Sequence, residues 1–321
     1  MVATLVNGLV ERGHTVILVA AGSDRTGARF EPTFDVTPDG LGGPDTMAIE
    51  VVHAQLANDR LRDLDVDVIH DHSAIGPLFA PYRAGPTVMS VHGPVVGWMR
   101  KLYRVLRNVA LVAISDAQRA SAPELPWQGT VHNGIDVDSF PLRENKDGYL
   151  AFLGRMNPDK GIPEAIQVAR RVERRLLIAA KCSDPQEITY YEEVIEPLLG
   201  DHAEYVGDLA GDEKGEFLAA ASALVFPIQW EEPFGLVMVE AMACGTPVLA
   251  TRRGSVPEVV EDGLTGFVCD DVDQIVRQFA HLGDLSPRRI RERARERFNS
   301  ERMIEGYEAV YRSVLAERNM R

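Results

Sequence analysis

Apolar residues recur at helical spacing from the first residues onward. Val2, Leu5, Val6, Leu9 and Val10 share one face, and Gly13 supplies a C-terminal stop. The run Thr15 to Ala21 is β-branched and continuously apolar, the pattern of a strand buried on both faces. The chain therefore opens on a helix that leads into a parallel-type strand. An alternating fold normally places a strand before such a helix, and none is present here. Further strand-like runs lie at Val66–His70, Thr87–Val91 and Val109–Ile114, with helical patterns between them. Residues 22–45, rich in Gly, Pro, Thr and Asp, read as a long loop.

The second half alternates more cleanly. Tyr149–Leu153, Leu176–Ala180, Ala223–Phe226 and Pro247–Ala250 read as short buried strands. Pro163 opens a helix that carries Ala165, Ile166, Ala169 and Val172 on one face. Such alternation predicts an α/β chain of two doubly wound domains with parallel sheets. Ligands in that architecture bind beyond the C-terminal strand ends and in the cleft between domains. The expected division is residues 1–143, 144–300 and a closing helix over 301–321 that returns toward the first domain. Asn133 to Lys146, with a turn, Pro141 and mixed charges, is the expected hinge.

Composition narrows the classes. The 321 residues are 45% hydrophobic and 26% charged, which suits a globular protein. Acids outnumber bases 48 to 34, a formal net charge of −14, so a dedicated nucleic-acid binder is not expected. Cys182, Cys244 and Cys269 have no metal or redox spacing and read as reduced core thiols. No apolar run approaches the length of a membrane span, and the opening residues do not read as a signal peptide. The sequence is accordingly read as cytoplasmic, at most peripheral to a membrane.

Two segments carry the candidate chemistry. The first, G-R-M-N-P-D-K-G from Gly154 to Gly161, follows a strand and leads into a helix. Arg155 and Lys160, with the free amides of a helix N-terminus, make a diphosphate site. The second runs from Trp230 to Val248. Pro233 suits the first turn of a helix, so the amides of Phe234, Gly235 and Leu236 would point out of its N-terminus. Glu232 would precede that helix and Glu240 lie about two turns into it. A carboxylate accepts two hydroxyl hydrogen bonds, so a deep Glu240 suits a ribose diol.

In combination these segments resemble the glycosyltransferases of family 4. Further matches are R-G-H-T-V at Arg12–Val16, D-V-I-H-D-H at Asp67–His72 and S-V-H-G-P at Ser90–Pro94. A-I-S-D-A-Q-R at Ala113–Arg119, V-H-N-G-I-D at Val131–Asp136, G-S-V-P-E-V-V at Gly254–Val260 and D-G-L-T-G-F at Asp262–Phe267 extend it over essentially the whole chain. The resemblance implies the GT-B fold, two Rossmann-like domains facing a cleft. It implies transfer of a sugar from a nucleotide-diphosphate sugar to an acceptor hydroxyl, with retained anomeric configuration and without an essential metal. It also implies that the strand absent before the first helix, and the glycine-rich loop after it, belong to the first domain. A version extended upstream is expected to be more soluble and more active.

Under that reading Gly154, Arg155, Lys160, Phe234, Gly235, Leu236 and Glu240 bind the donor, with Glu240 on the ribose. Glu232 orients the sugar ring. His92 follows a buried strand, and in similar proteins a histidine here lies near the transferred sugar and the diphosphate. The base pocket is expected near Ala180–Lys181 and Val206–Asp208. Two other classes fit the residues: a sugar-nucleotide enzyme of another reaction type, such as an epimerase or phosphorylase, and an inactive sugar-nucleotide-binding protein.

Other signals read as structural. Ser255 and Glu258 have capping-box spacing. His70 and His72 fall on one strand face and Asp71 on the other, an awkward metal site. Three D-x-D triplets, at 65–67, 136–138 and 271–273, read as solvated acids. Along Trp98–Asn108, Arg100, Arg104 and Arg107 share a helical face with Trp98, Leu102 and Leu106 opposite. That helix is expected to be solvated, with an anionic acceptor or a membrane surface as its alternative partner. The arginine-rich run 288–297 reads as solvated helix.

Overall fold

The structure, a computed structural model, describes residues 1–36 and 46–319. It divides into two compact units, residues 1–134 with 300–321 and residues 135–299. The division falls at Gly134–Ile135, ahead of the Arg143–Glu144 boundary expected from sequence. The turn Val137–Ser139 belongs to the second unit because Arg291 and Arg295 both bind the Asp138 carboxylate.

In the first unit, α1 (Val2–Glu11) leads through Gly13 into β1 (Ile17–Ala20), as the apolar spacing predicts. Among the described residues β1 pairs in parallel with β2 (Arg29–Pro32) alone. β2 lies within the stretch expected to be a loop, because pairing rather than propensity extends it. Residues 37–45 of that stretch lie outside the described residues. β3 (Ile69–Asp71), β4 (Thr87–Val91), β5 (Val109–Ala113) and β6 (Trp127–Thr130) form a separate four-stranded parallel sheet in that order. β1 is half-buried along its length rather than buried on both faces, since its sheet holds two strands.

β4 and β5 carry the core. Val88 and Val112 face α1 and the C-terminal helix Ser300–Asn319, against Leu5, Leu9, Met303, Ile304 and Tyr307. Met89, Val91 and Leu111 face the other way, against Tyr103, Ala122 and Leu125. This period of two with both faces covered is why these strands read as unbroken apolar runs. Gly8 lets α1 approach the C-terminal helix, since a Cβ there would overlap the Ile304 side chain. Arg12 clamps the same helix with two 3.0 Å bonds to Glu308, which also meets His14 at 2.9 Å.

The second unit is one parallel sheet in the order β12-β11-β10-β7-β8-β9. Its strands are β7 (Leu150–Arg155), β8 (Leu176–Lys181), β9 (Ala203–Gly207), β10 (Ala223–Phe226), β11 (Val248–Thr251) and β12 (Gly266–Cys269). Leu150, Phe152, Leu176, Ile178, Ala223 and Val225 are buried beneath the helix that Pro163 opens, Ile162–Arg171. From β7 the chain builds outward through β8 and β9, then returns to add β10 on the other side. The order therefore reverses between β7 and β10, where a doubly wound sheet leaves its ligand crevice.

Candidate functional site

The two loops that follow β7 and β10 carry the two segments singled out in the sequence. The β7 loop ends in a single turn, Pro158–Lys160, whose start is held by the Asn157 side chain accepting from the Asp159 N–H at 2.9 Å. Gly161 then adopts φ +75 directly against the Pro227 carbonyl, where a Cβ would overlap it. This close approach docks the β7 loop on the start of the β10 loop. Gln229 reinforces it, donating its N–H to the Asp159 carbonyl at 2.8 Å.

The result is a cation–carboxylate pair at the crevice. Lys160 Nζ donates to Glu232 Oε2 at 2.8 Å, and Trp230 Nε1 donates to the same oxygen at 2.9 Å. The ammonium also lies 4.7 Å from the centre of the Trp230 ring. The Glu232 side chain is 9% exposed. Its backbone is gripped by Ser255, whose N–H donates to the Glu232 carbonyl at 2.9 Å, and by Gly254 at φ +53, where a Cβ would overlap that backbone. Glu232 uses one carboxylate oxygen in these bonds, and Lys160 keeps N–H groups beyond its bond to Glu232.

Arg155 ends β7. Its Nε donates to Glu187 Oε1 at 2.8 Å and its Nη2 to Asp184 Oδ2 at 2.9 Å. These bonds hold one edge of the guanidinium fork, while the side chain stays 57% exposed. Burial works to raise the Glu187 carboxyl, but the N–H groups of Ser183 and Asp184 and the Arg155 guanidinium outweigh it and keep the pKa below the ordinary value. Gly154 precedes Arg155 in β7, and a Cβ there would touch the Phe152 ring and the Lys160 stem.

The helix after the β10 loop starts later than its sequence suggests. It spans Leu236–Ala243, with Gly235 at φ +74 as its N-cap, so Pro233 lies before the first turn. The left-handed glycine ends the loop, and the helix begins only after it. Phe234 is a core side chain, 2% exposed and edge-on to Phe298 at 5.8 Å. Leu236 remains a first-turn residue. Glu240 consequently lies about one turn into the helix, not two. It accepts from Lys214 Nζ at 2.6 Å. Lys214, on the helix Gly211–Ala220, was not apparent from spacing, because its partner is 26 residues away on another helix.

Two further expectations change. Ser255 makes no capping bond, and its buried hydroxyl has no partner, because the helix it precedes spans only Val256–Val259. The D-x-D acids have structural partners where partners are seen. Asp136 caps the turn Val137–Ser139, Asp271 caps the helix Val272–Gln278, Asp138 binds Arg295 and Arg291, and Asp273 binds Arg171. An open hollow lined by Gly148, Tyr149, Arg174, Arg175 and Phe279 lies at the N-terminal ends of β7 and β8, opposite the end that carries Arg155.

In the first unit, His92 follows β4 and its Nε2 meets His72 Nδ1 at 2.9 Å. His72 lies against His70, their ring centres 4.1 Å apart. His70 in turn bonds the Tyr311 hydroxyl at 2.7 Å and Ser90 at 2.8 Å, and Ser90 meets the Tyr307 hydroxyl at 2.6 Å. Burial first, then the neighbouring imidazole, lowers His72 to about 3, and burial lowers His92 to about 4. Both rings are therefore neutral near pH 7. Asp71 points away and binds Arg83 at 2.9 Å, so β3 presents its histidines on one face as the strand period requires.

Comparison with known proteins matches both parts of the chain. Residues 135–297 match the family described as glycosyl transferases group 1, and residues 1–139 match Glycosyltransferase Family 4. The chain is 26% identical to the N-acetyl-alpha-D-glucosaminyl L-malate synthase of Bacillus anthracis, covering 96% of this chain and 92% of that protein. It is 29% identical to the phosphatidyl-myo-inositol mannosyltransferase of Mycobacterium tuberculosis, over 68% of this chain and 63% of that one. Among solved structures, AviGT4, a glycosyltransferase involved in avilamycin A biosynthesis, superposes with a TM-score of 0.72 at 27% identity, covering 98% and 89% of the two chains. The Anabaena protein HepE, solved with UDP and glucose, shares the fold at a TM-score of 0.74 and 16% identity, covering 97% and 95%. The protein belongs to the glycosyltransferases of group 1, family 4, and has their GT-B fold of two Rossmann-like domains.

Proposed function

We propose that the protein moves a hexose from a nucleotide-diphosphate sugar to an acceptor hydroxyl with retained configuration and without a metal. The observation that carries this reading is the Lys160–Glu232 pair at the point where the sheet order reverses, on the loop that follows the end of β7 at Arg155. A doubly wound sheet offers its ligand crevice there. HepE, solved with UDP and glucose, supports a nucleotide donor.

The difficult event is departure of the nucleotide diphosphate. The bond from the anomeric carbon to the diphosphate oxygen breaks with its electron pair going to that oxygen. The acceptor oxygen forms the new bond to the same carbon and gives up its proton to the departing diphosphate oxygen. Negative charge grows on the diphosphate while positive charge grows on the sugar. Arg155 and Lys160, oriented by their carboxylate partners, and the N-terminus of the helix at Gly235–Leu236 stabilise the departing group. Glu232 binds the sugar hydroxyls with its remaining carboxylate oxygen. Glu240, held by Lys214, binds the ribose diol. His92, neutral and oriented by His72, stands on the acceptor side.

A panel of nucleotide sugars screened by thermal shift tests the reading. A donor at a hundred times its dissociation constant stabilises the fold by about 2.7 kcal/mol. Donors that bind are then assayed for transfer or slow hydrolysis. Base-specific stabilisation with no turnover on any acceptor would overturn the transferase reading in favour of a binding protein. A change of sugar stereochemistry without transfer would indicate an epimerase.

A further inference from the structure

In a chain where acids outnumber bases 48 to 34, residues 72–115 contain no Asp or Glu at all. This stretch runs through β4, His92 and the helix Gly97–Val105, so it includes the C-terminal end of a central strand in the first unit, where parallel sheets bind ligands. Its five cations are Arg83, Arg100, Lys101, Arg104 and Arg107. Arg83 is spent internally on Asp71. The other four lie on or just after the helix. Among the described residues Glu124 is the one carboxylate that pairs with them, binding Arg100 at 2.6 Å and Arg104 at 3.1 Å. Lys101 and Arg107 have no carboxylate in an ion pair among the described residues, so positive charge predominates along the helix.

The helix also turns an aromatic ring to solvent. Met99, Tyr103 and Leu106 pack onto Met89, Val91 and Leu111. On the other side Trp98 is 80% exposed, with Lys101 Nζ 4.0 Å from its ring centre and Val105 exposed one turn further on. The expected opposition of arginines and apolar residues therefore holds only in part, because Trp98 stays outside the core. A solvated indole beside a cationic surplus fits an occupant with an apolar face and negative charge.

We infer that this helix is an acceptor-binding surface and that the acceptor carries an anionic group, phosphate or carboxylate, which Lys101 and Arg107 bind while Trp98 packs against the acceptor's body. The inference rests on reading the first unit as the acceptor side, and it sets the acceptor's chemical class. An anion raises the encounter rate with such a surface and adds a charge-assisted bond, whereas a neutral congener gains neither.

The test uses the full chain without donor, so its outcome is independent of whether any nucleotide sugar is turned over. Titration calorimetry compares mannose phosphate with mannose, and succinate with butanediol. Sedimentation compares phosphatidylcholine vesicles with and without phosphatidylglycerol. Binding to the soluble anions over their neutral congeners supports the inference with a soluble acceptor. Binding only to phosphatidylglycerol vesicles supports it with the anion in a lipid headgroup. In either case Lys101→Glu and Arg107→Glu each weaken binding about tenfold, Trp98→Ala weakens it as well, and added salt weakens it for all forms. Circular dichroism checks that these surface variants are folded. Equal binding of charged and neutral probes, no binding to any probe, or binding unchanged in folded Lys101→Glu and Arg107→Glu would overturn it.

Discussion

Lys160 and Glu232 are joined by a 2.8 Å bond that ties the loop after β7 to the loop after β10. Each side chain is mostly enclosed, at 18% and 9% exposure, so neither charge is replaced by water when its partner is removed. Lys160→Ala should therefore cost stability, by about 1–3 kcal/mol for the stranded carboxylate, and lower turnover by roughly 10²–10³ for the lost donor to the leaving group. Combining it with Glu232→Gln should restore most of the stability and none of the turnover. Arg155→Ala should lower turnover comparably yet cost about 1 kcal/mol or less of stability, since its pair with Asp184 is exposed and the buried Glu187 carboxylate keeps its bonds from the Ser183 and Asp184 N–H groups. Chemical denaturation and kinetics on the same four proteins check the split. Normal turnover in Lys160→Ala would remove it from the donor site.

The histidine stack predicts an acid-sensitive first unit. In the unfolded chain an imidazole takes a proton below about pH 6.5. In the folded chain His92 resists protonation down to about 4 and His72 to about 3, and His70 is held well below its ordinary value. The unfolded state thus binds more protons across this window. Stability that is full above about pH 6.5 drains away as pH falls toward 4. A thermal melt should drop by several degrees between neutral pH and mild acid, and His72→Asn should flatten the dependence. A melt unchanged down to pH 4.5 would contradict the burial assigned to these rings.

Gly254 supplies a backbone test of the carboxylate's placement. Its φ is +53 and a Cβ would strike the Glu232 backbone, whereas Gly263, at φ +74, has open space around it. Gly254→Ala should destabilise by about 2–3 kcal/mol and reduce turnover, and Gly263→Ala should cost about 1 kcal/mol for backbone strain alone with turnover kept. Equal effects from the two substitutions would mean that the Gly254 contact does not position Glu232.

Under the proposed metal-free transfer, in which Arg155, Lys160 and helix amides would meet the departing charge, chelators should leave donor binding and turnover within about twofold. Loss of turnover with a chelator, restored by manganese or magnesium, would overturn that part of the mechanism.

The alternation of strands and helices was legible because buried parallel strands are continuous apolar runs, and β4, β5, β7, β8, β10 and β11 were all visible as such. β2, β6 and β12 were not picked out, and of β9 only its end near Val206–Asp208 was. Arg29–Pro32 and Trp127–Thr130 are only partly covered and carry polar residues, so their strand character comes from the neighbour they pair with. Arg155, Lys160, Glu232 and Glu240 could be singled out because unusual residues sat in loops or in an apolar helix. Their partners could not, since Glu187, Lys214 and Gly254 reach them across 22 to 32 positions of sequence. From the sequence His72 reads only as part of an awkward metal site. Its role as the partner of His92 depends on the parallel register, which pairs β3 and β4 residues 18 apart and so brings the residues just beyond the two strand ends within side-chain reach.

The separation of the first unit's strands into a pair and a quartet divides its backbone into two classes of protection. β4 and β5 are hydrogen-bonded on both sides and fully or largely buried, whereas β1 is half-buried and, among the described residues, bonded on one side. Amide exchange should accordingly be fast at Ile17–Ala20 and slow at Thr87–Val91, with the β1–β2 ribbon opening as a unit of its own before the rest of the fold. The protein's first concession to heat or denaturant would then be a local opening that leaves His92, on the well-protected strand end, in place.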